Sequence, residues 1–125
     1  MRVLIIEDSD SIVRMIETLM AARGFEVRSA PSGVRGLEEA FAWDPDVVLL
    51  DLHLPGSYDG FEVCAKLRAD EKTRDVPIIV VSVLNDDDAK RRAHEAGITA
   101  FYEKPFSPLA LLKEVESLPR RGGRG

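Results

Sequence analysis

The stretch Val47-Val48-Leu49-Leu50-Asp51 decides the fold of this chain of 125 residues. It is a short, partly β-branched apolar run that follows the turn signal Asp44-Pro45 and ends at a carboxylate. Such a run between turn signals is typical of a strand that is buried on both faces of a sheet. The residue at the carboxyl end of that strand points into the crevice where open α/β sheets bind ligands. We therefore predict that Asp51 is a charged group held at the functional edge of the sheet.

A second apolar run, Val3-Leu4-Ile5-Ile6, ends in the same way, at Glu7-Asp8. If the two strands are neighbours, three carboxylates converge at one edge of the sheet. Like charges that lie close together destabilise one another unless they are protonated or neutralised by a cation. The sequence therefore indicates a cation site formed by Glu7, Asp8 and Asp51.

Five strand patterns alternate with five helix patterns along the chain. The strands are predicted at residues 2–6, 25–29, 47–51, 78–81 and 99–102, and the helices begin near Ser9, Pro31, Asp59, Asn85 and Ser107. Strict alternation predicts a parallel sheet with right-handed crossovers, and hence a three-layer α/β sandwich. Apolar spacing assigns three residues to the buried face of each of the second and fifth helices, namely Val34, Leu37 and Phe41, and Leu109, Leu112 and Val115.

Length and composition limit the classes of protein to which the chain can belong. The length favours one domain, which we place at residues 1–118, with residues 119–125 as a basic, glycine-rich disordered tail or linker remnant. The net charge of −5 gives no sign of general nucleic-acid binding. No apolar run approaches the roughly 18–20 residues that span a bilayer, and no signal peptide is visible. The single cysteine, Cys64, excludes an internal disulfide, and these features fit a reducing cytoplasm.

The predicted carboxyl ends of four strands carry a chemically coherent set of side chains. The set consists of Glu7, Asp8, Asp51, the hydroxyl of Ser82 and the ammonium of Lys104. Carboxylates bind Mg²⁺, which commonly bridges protein and phosphate. A hydroxyl and an ammonium can hold phosphoryl oxygens opposite the metal, and a carboxylate can itself accept a phosphoryl group. The set therefore favours phosphoryl chemistry at this edge of the sheet.

Five motifs occur in order, and together they resemble the response-regulator receiver domain of two-component signalling. They are Ile6-Glu7-Asp8, Leu50-Asp51-Leu52-His53-Leu54-Pro55, Asp59-Gly60, Val81-Ser82 and Lys104-Pro105-Phe106. The resemblance covers about residues 1–118. It implies the flavodoxin-like (βα)5 fold, with a parallel sheet of five strands in the order 2-1-3-4-5.

The resemblance also implies a role for each residue of the set. Asp51 would be the phosphoacceptor, and Mg²⁺ would be bound by Glu7, Asp8, Asp51 and the main-chain carbonyl of His53. Ser82 and Lys104 would assist the transfer by binding phosphoryl oxygens, and the bond before Pro105 is usually cis. Ser82 and Phe101, three residues before Lys104, would form the conformational switch.

The partners implied are a sensor histidine kinase or phosphotransfer protein, and a downstream effector or a missing output domain. The resemblance also allows a homodimer formed through the fourth helix, fifth strand and fifth helix. It implies a cytoplasmic signalling domain that catalyses only its own phosphorylation and slow dephosphorylation. Neither direct nucleic-acid binding by this domain nor a membrane partner is expected.

Three alternatives remain open at this point. Aspartate-nucleophile phosphatases usually have a second aspartate two residues after the first, where this chain has His53. A flavin or nucleotide binder would need a glycine- or hydroxyl-rich loop after the first strand, where Glu7 and Asp8 would repel phosphate. A receiver-like interaction module that works without phosphorylation would leave the site intact but unused.

Two features depart from the pattern that the resemblance supplies. The loop between Pro55 and Asp59-Gly60 is one residue longer than usual, so the resemblance does not fix its path. His53 and Leu84 stand two residues after Asp51 and Ser82, at positions that influence the lifetime of the phosphoryl group in the family. We expect bulky His53 and apolar Leu84 to hinder attack by water and to lengthen that lifetime.

Overall fold

The computed structural model describes residues 1–119, and within this range the chain forms a parallel sheet of five strands with five helices. The elements are β1 (Arg2–Ile6), α1 (Asp10–Ala21), β2 (Glu26–Ala30), α2 (Gly33–Trp43), β3 (Val47–Leu50), α3 (Gly60–Ala69), β4 (Ile78–Ser82), α4 (Asp87–Glu95), β5 (Ala100–Glu103) and α5 (Pro108–Glu116). The strand order is β2-β1-β3-β4-β5, which confirms the predicted flavodoxin-like architecture.

The register of the sheet aligns the carboxyl ends of its two central strands. Ile6 of β1 pairs with Leu50 of β3, and Leu50 pairs with Val80 of β4. All four residues of β3 are buried, as expected for an apolar strand covered on both faces. The residues that directly follow Ile6 and Leu50 are Glu7 and Asp51, so the register brings these two carboxylates together.

Helices on both faces of the sheet enclose two hydrophobic cores. Side chains of α2 and α3 pack on one face, around Leu50 and Ile78, whereas side chains of α1 and α5 pack on the other, around Leu49 and Ile79. Neighbouring residues of one strand thus serve opposite cores, because successive side chains point to opposite faces. The loops at the carboxyl edge of the sheet, among them those after Ile6 and Leu50, therefore start from strands packed between the two cores.

The buried faces of α2 and α5 differ from the prediction at one residue each. Val34 and Leu109 were expected to be buried, but they are 40% and 62% exposed. In α2 a glycine makes the closest contact between the helix and β1, because a Cβ on Gly36 would lie 2.5 Å from the Cδ1 atom of Ile6. The helix therefore turns Gly33, Gly36, Leu37 and Ala40 inward and Val34 outward. In α5 the buried residues are Leu111, Leu112 and Val115, and Leu109 lies on another side of the helix.

Trp43, the only tryptophan of the chain, ends α2 at the opposite edge of the sheet from Asp51. The guanidinium carbons of Arg2 and Arg28 lie 5.7 Å and 4.8 Å from the centre of its ring. Arg2 also donates a hydrogen bond of 2.7 Å from Nη1 to the Trp43 carbonyl. Two guanidinium groups thus lie over the ring, where cation–π attraction stabilises both of them.

Within residues 1–119, no helix has the length and the apolar composition that crossing a membrane requires. Most of the predicted tail, residues 120–125, lies outside the described part of the chain.

Candidate functional site

The three acidic residues predicted to form a cation site lie together at the carboxyl edge of the sheet. One carboxylate oxygen from each of Glu7, Asp8 and Asp51 lies within 4.8 Å of the other two. Glu7 and Asp51 are each only 5% exposed, whereas Asp8 is exposed. Buried carboxylates at this separation repel one another strongly because little water screens them. The donor set is all oxygen and it opens to solvent at Asp8, which fits a hard divalent cation that keeps some of its water.

Lys104 provides the positive charge of the site. Its Nζ atom donates hydrogen bonds of 2.6 Å to Glu7 Oε1 and 3.3 Å to Asp51 Oδ2. A backbone hydrogen bond holds the lysine in place, because Lys104 N donates to the Ser82 carbonyl at 2.9 Å. The Lys104–Pro105 peptide bond is cis, as expected. One ammonium thus faces two buried carboxylates, so the cluster has an excess of negative charge.

The pKa values of Glu7 and Lys104 reflect this imbalance. Burial raises the pKa of the Glu7 carboxyl, the nearby charge of Asp51 adds to the rise, and the hydrogen bonds from Lys104 and Ser9 only partly oppose it. Burial lowers the pKa of Lys104, but the hydrogen bond to Glu7 and the charges of Asp51 and Glu7 outweigh it, so the net shift is upward. The lysine therefore stays charged, and its single positive charge neutralises only part of the negative charge of the two buried carboxylates.

Backbone contacts fix the orientation of Asp51. The His53 amide donates to Asp51 Oδ1 at 3.1 Å. The other oxygen of this carboxylate, Oδ2, accepts from Lys104. The first residue of α3, Gly60, donates from its amide to the Leu52 carbonyl at 2.9 Å. A Cβ on Gly60 would lie 2.4 Å from the Asp51 carbonyl oxygen, so only glycine allows α3 to begin this close to the acidic site.

The longer loop between Pro55 and Asp59 now has a defined path. It turns at Gly56, whose φ of 89° favours glycine, and the chain then enters α3. Asp59 and Glu62 form a capping box in which Asp59 Oδ1 accepts from the Glu62 amide at 2.9 Å. Asp59, the acidic residue of this loop, caps α3 and is not one of the three carboxylates of the cluster.

Ser82 and Phe101 lie where the sequence predicted them, on neighbouring strands. Ser82 is completely buried at the end of β4, and its Oγ accepts a hydrogen bond of 3.1 Å from the Leu84 amide. Phe101 is half-buried on β5, opposite Val80. Tyr102, the next residue, packs with the core of α1 and α5, so Phe101 faces the other side of the sheet.

An apolar groove next to Lys104 was not predicted from the sequence. It has a volume of about 440 Å³ and is lined by Ile12, Met15, Val83, Lys104, Pro105 and Phe106. Met15 and Val83 are large apolar side chains that remain exposed. The apolar spacing of α1 shows which residues share a face of the helix, but it does not show which of them stay uncovered.

Comparison with known proteins identifies the family. The sequence profile described as the response regulator receiver domain matches residues 3–116. The chain belongs to the response regulator receiver domain family. Relatives include RpaA of Synechocystis, named as a DNA-binding dual master transcriptional regulator, with 35% identity over 98% of this chain and 51% of that protein. The phosphate regulon regulator PhoB of Pseudomonas aeruginosa is 33% identical over 98% of this chain and 53% of its own length.

Solved structures of receiver domains share the fold. The chemotaxis protein CheY4 of Vibrio cholerae has a TM-score of 0.86 and 29% identity, covering 94% of this chain and 98% of that one. The BeF3-activated N-terminal receiver domain of Klebsiella pneumoniae RstA has a TM-score of 0.84 and 28% identity, covering 93% and 96% of the two chains. The present chain spans about half the length of relatives such as RpaA and PhoB. It is thus a receiver domain, a signalling unit of two-component response regulators.

Proposed function

We propose that this receiver domain accepts a phosphoryl group on Asp51 from the phosphohistidine of a sensor histidine kinase or phosphotransfer protein. The observation that carries the proposal is the convergence of Glu7, Asp8, Asp51 and Lys104 at the carboxyl edge of the sheet. Paired charges in a cleft, with a pKa displaced by burial, are typical of functional sites. The functional unit that we propose is residues 1–118, and its expected compartment is the cytoplasm.

Glu7, Asp8, Asp51 and the main-chain carbonyl of His53 are the proposed ligands of Mg²⁺. The three carboxylates supply oxygen atoms within 4.8 Å of one another, which suits a cation that prefers carboxylate and water oxygens. When bound, Mg²⁺ supplies positive charge that offsets the repulsion within the cluster and the charge of an incoming phosphoryl group. The exposed position of Asp8 leaves a route for hydrated ions to enter.

Each side chain of the site has a separate role in the transfer. An Asp51 carboxylate oxygen forms a bond to phosphorus in line with the breaking P–N bond, whose electrons return to the imidazole of the donor histidine. The Lys104 ammonium, now 2.6 Å from Glu7, moves to the phosphoryl oxygens as their charge develops. The Ser82 hydroxyl binds another of these oxygens. Water later hydrolyses the acyl phosphate slowly, so the domain catalyses only its own phosphorylation and dephosphorylation.

The conformational response is proposed to begin at Ser82 and to continue at Phe101. Ser82 is buried at the end of β4, and Phe101 is half-buried on the adjacent strand. When Ser82 turns to the phosphoryl group, Phe101 follows and the surface of α4, β5 and α5 shifts toward an output-competent state. That surface would bind a downstream effector or an output domain, or form a homodimer.

The apolar groove next to Lys104 is the proposed docking surface for the phosphodonor protein. It combines exposed Met15 of α1 with Phe106 of the loop before α5, and Lys104 contributes to its wall. A helix with an apolar face would fill such a groove, since helix-in-groove recognition relies on apolar anchors. Its position would bring a phosphohistidine on that helix close to Asp51.

Incubation with acetyl phosphate and Mg²⁺, followed by intact-mass spectrometry, tests the function. The wild-type chain should gain one phosphoryl group, Asp51→Asn should gain none, and Asp75→Asn, which changes an exposed aspartate, should behave as the wild type. Equal labelling of the Asp51→Asn variant would refute the assignment. No labelling of any variant would favour an interaction module that works without phosphate, and turnover of a generic phosphate ester would favour a phosphatase.

A further inference from the structure

One face of α3 holds the C-terminal end of α4. Phe61, Cys64 and Arg68 are spaced by three and four residues, so they form a single stripe along the helix. The guanidinium carbon of Arg92 lies 3.9 Å from the centre of the Phe61 ring. The Cys64 thiol donates a hydrogen bond of 3.2 Å to the carbonyl of Ala96, the residue that caps α4. We refer to Phe61, Cys64 and Arg68 as the α3 stripe.

Arg68 makes the most extensive contacts of the α3 stripe. Its Nε and Nη2 atoms both donate to the Gly97 carbonyl, at 2.9 Å and 2.8 Å. Its Nη1 atom donates to the carbonyls of Val76 and Arg74, at 2.6 Å and 2.9 Å. One planar guanidinium therefore joins the turn after α4 to the chain that leads into β4, and its fixed fork of donors specifies their geometry.

The N-terminal end of α4 is attached in a different way. Lys90 forms an ion pair with Glu103 of β5, and these side chains are 40% and 50% exposed. Exposed ion pairs of this kind stabilise proteins only slightly. The loop that enters this end of the helix includes Val83 and Leu84, both exposed, and starts at Ser82 of the candidate site. Ala89 in this half of α4 is buried, but the end of α4 nearer the site makes fewer hydrogen bonds to neighbouring elements than the end that contacts the α3 stripe.

We propose that the α3 stripe is a pivot, so that α4 swings about its clamped C-terminal end when the site changes state. This inference rests on the proposed function, because a phosphoryl group on Asp51 supplies the change at Ser82. Displacement of the β4–α4 loop breaks the Lys90–Glu103 pair and moves the start of α4. The contacts of Arg92, Ala96 and Gly97 with the α3 stripe persist in both states. The output surface therefore changes most where α4 meets β5.

Amide hydrogen exchange on the whole chain, with and without beryllofluoride and Mg²⁺, tests the pivot. In the wild type, exchange at residues 84–90 should change by about tenfold or more, whereas exchange at residues 93–98 should stay the same. Arg68→Met retains the aliphatic stem but loses the hydrogen bonds, so in this variant the change should spread to residues 93–98. Phe61→Leu tests the same point with a smaller effect on packing. Lys90→Met, at the other end of α4, should leave residues 93–98 unchanged.

The outcomes separate the pivot from the function on which it depends. Equal changes in both halves of wild-type α4, or a change confined to residues 84–90 in Arg68→Met and Phe61→Leu, would overturn the pivot alone. In both cases the amides next to Asp51, at residues 52–54, still respond to beryllofluoride. If those amides also fail to respond, the proposed function is wrong and the pivot is rejected with it.

Discussion

Lys104 lies closer to Glu7 than to Asp51, since its Nζ atom is 2.6 Å from Glu7 Oε1 and 3.3 Å from Asp51 Oδ2. The ammonium therefore compensates mainly an acid other than the proposed phosphoacceptor. This leaves Asp51 Oδ1, which accepts from the His53 amide, as the oxygen farther from the cation. The pairing gives the lysine a structural role in addition to its proposed role in binding phosphate.

Lys104→Met should destabilise the chain, and Mg²⁺ should restore part of the loss. The variant leaves Glu7 and Asp51 buried without their cation, and breaking such a pair typically costs about 3 kcal/mol or more. A divalent cation that binds only the folded state adds stability as its concentration rises above Kd. Urea unfolding with and without Mg²⁺ measures both effects. Lys113→Met, an exposed site on α5, is the control, and an equal loss with and without Mg²⁺ would contradict the prediction.

Gly60→Ala should weaken both folding and Mg²⁺ binding. The new Cβ would lie 2.4 Å from the Asp51 carbonyl oxygen and from the Leu52 Cα, so α3 must shift away from the site. Forced overpacking of this kind costs about 1–3 kcal/mol. Urea unfolding and Mg²⁺ titration calorimetry provide the measurements.

Gly56→Ala, in the loop that leads into α3, is the matched control for that substitution. It has open space around its Cβ but a φ of 89°, so it should cost about 1 kcal/mol of backbone strain and leave Mg²⁺ affinity unchanged. A Gly60→Ala variant with wild-type Mg²⁺ affinity would show that the start of α3 does not determine the position of Asp51.

Replacing His53 and Leu84 together by asparagine should accelerate loss of the phosphoryl group. His53 is exposed, and Leu84 is exposed near the buried Ser82. Small polar side chains at these two positions would admit an attacking water, and a tenfold faster hydrolysis corresponds to a barrier lower by about 1.4 kcal/mol. The decay of phosphorylated chain, followed by mass spectrometry, gives the rate. Val83→Ser is the control, and an unchanged rate in the double variant would refute the idea.

Tyr102 should ionise at a higher pH than free tyrosine. Burial raises the pKa of its phenol, and the 2.9 Å hydrogen bond to Glu114 Oε1 and the charge of that carboxylate raise it further. Because the folded-state pKa lies above the unfolded value, the stabilisation is present below about pH 10 and is lost as the pH rises through the folded-state pKa.

Ultraviolet absorbance of the tyrosinate, with Tyr102→Phe as the blank for Tyr58, measures this ionisation. Glu114→Gln should lower the midpoint because it removes the negative charge but retains a hydrogen-bond acceptor. Glu116→Gln, in the same helix, should leave the midpoint unchanged. A midpoint that does not respond to Glu114→Gln would show that burial alone accounts for the shift.

The order of strands and helices could be predicted because continuous apolar runs and turn signals are local properties of the chain. Such runs predicted both limits of β1 and the starts of β3 and β4, and they predicted the edge of the sheet at which Glu7, Asp51 and Ser82 lie; β3 ends one residue earlier and β4 one residue later than predicted. Strand limits were less well predicted. The second and fifth strands begin one residue later than expected, at Glu26 and Ala100, because pairing with neighbouring strands decides where a strand starts.

Features that depend on close packing could not be read from the sequence. Val34 was predicted to be buried because the spacing of apolar side chains takes no account of glycine. In the structure, Gly33 and Gly36 are the residues of α2 that contact neighbouring elements most closely. The preference of Lys104 for Glu7 over Asp51 rests on a difference of 0.7 Å between its distances of 2.6 Å and 3.3 Å to the two carboxylates, and no sequence motif specifies such a difference. The groove beside Lys104 likewise depends on which apolar side chains the fold leaves uncovered.

The position of Trp43 determines what intrinsic fluorescence can report. The indole lies beneath two guanidinium groups at the edge of the sheet away from Asp51, so unfolding removes its surroundings at once. Its emission is thus a natural probe of global denaturation. Occupation of the acidic cluster by Mg²⁺ or beryllofluoride should leave the emission spectrum almost unchanged, so a spectroscopic assay of signalling needs a fluorophore introduced near α4.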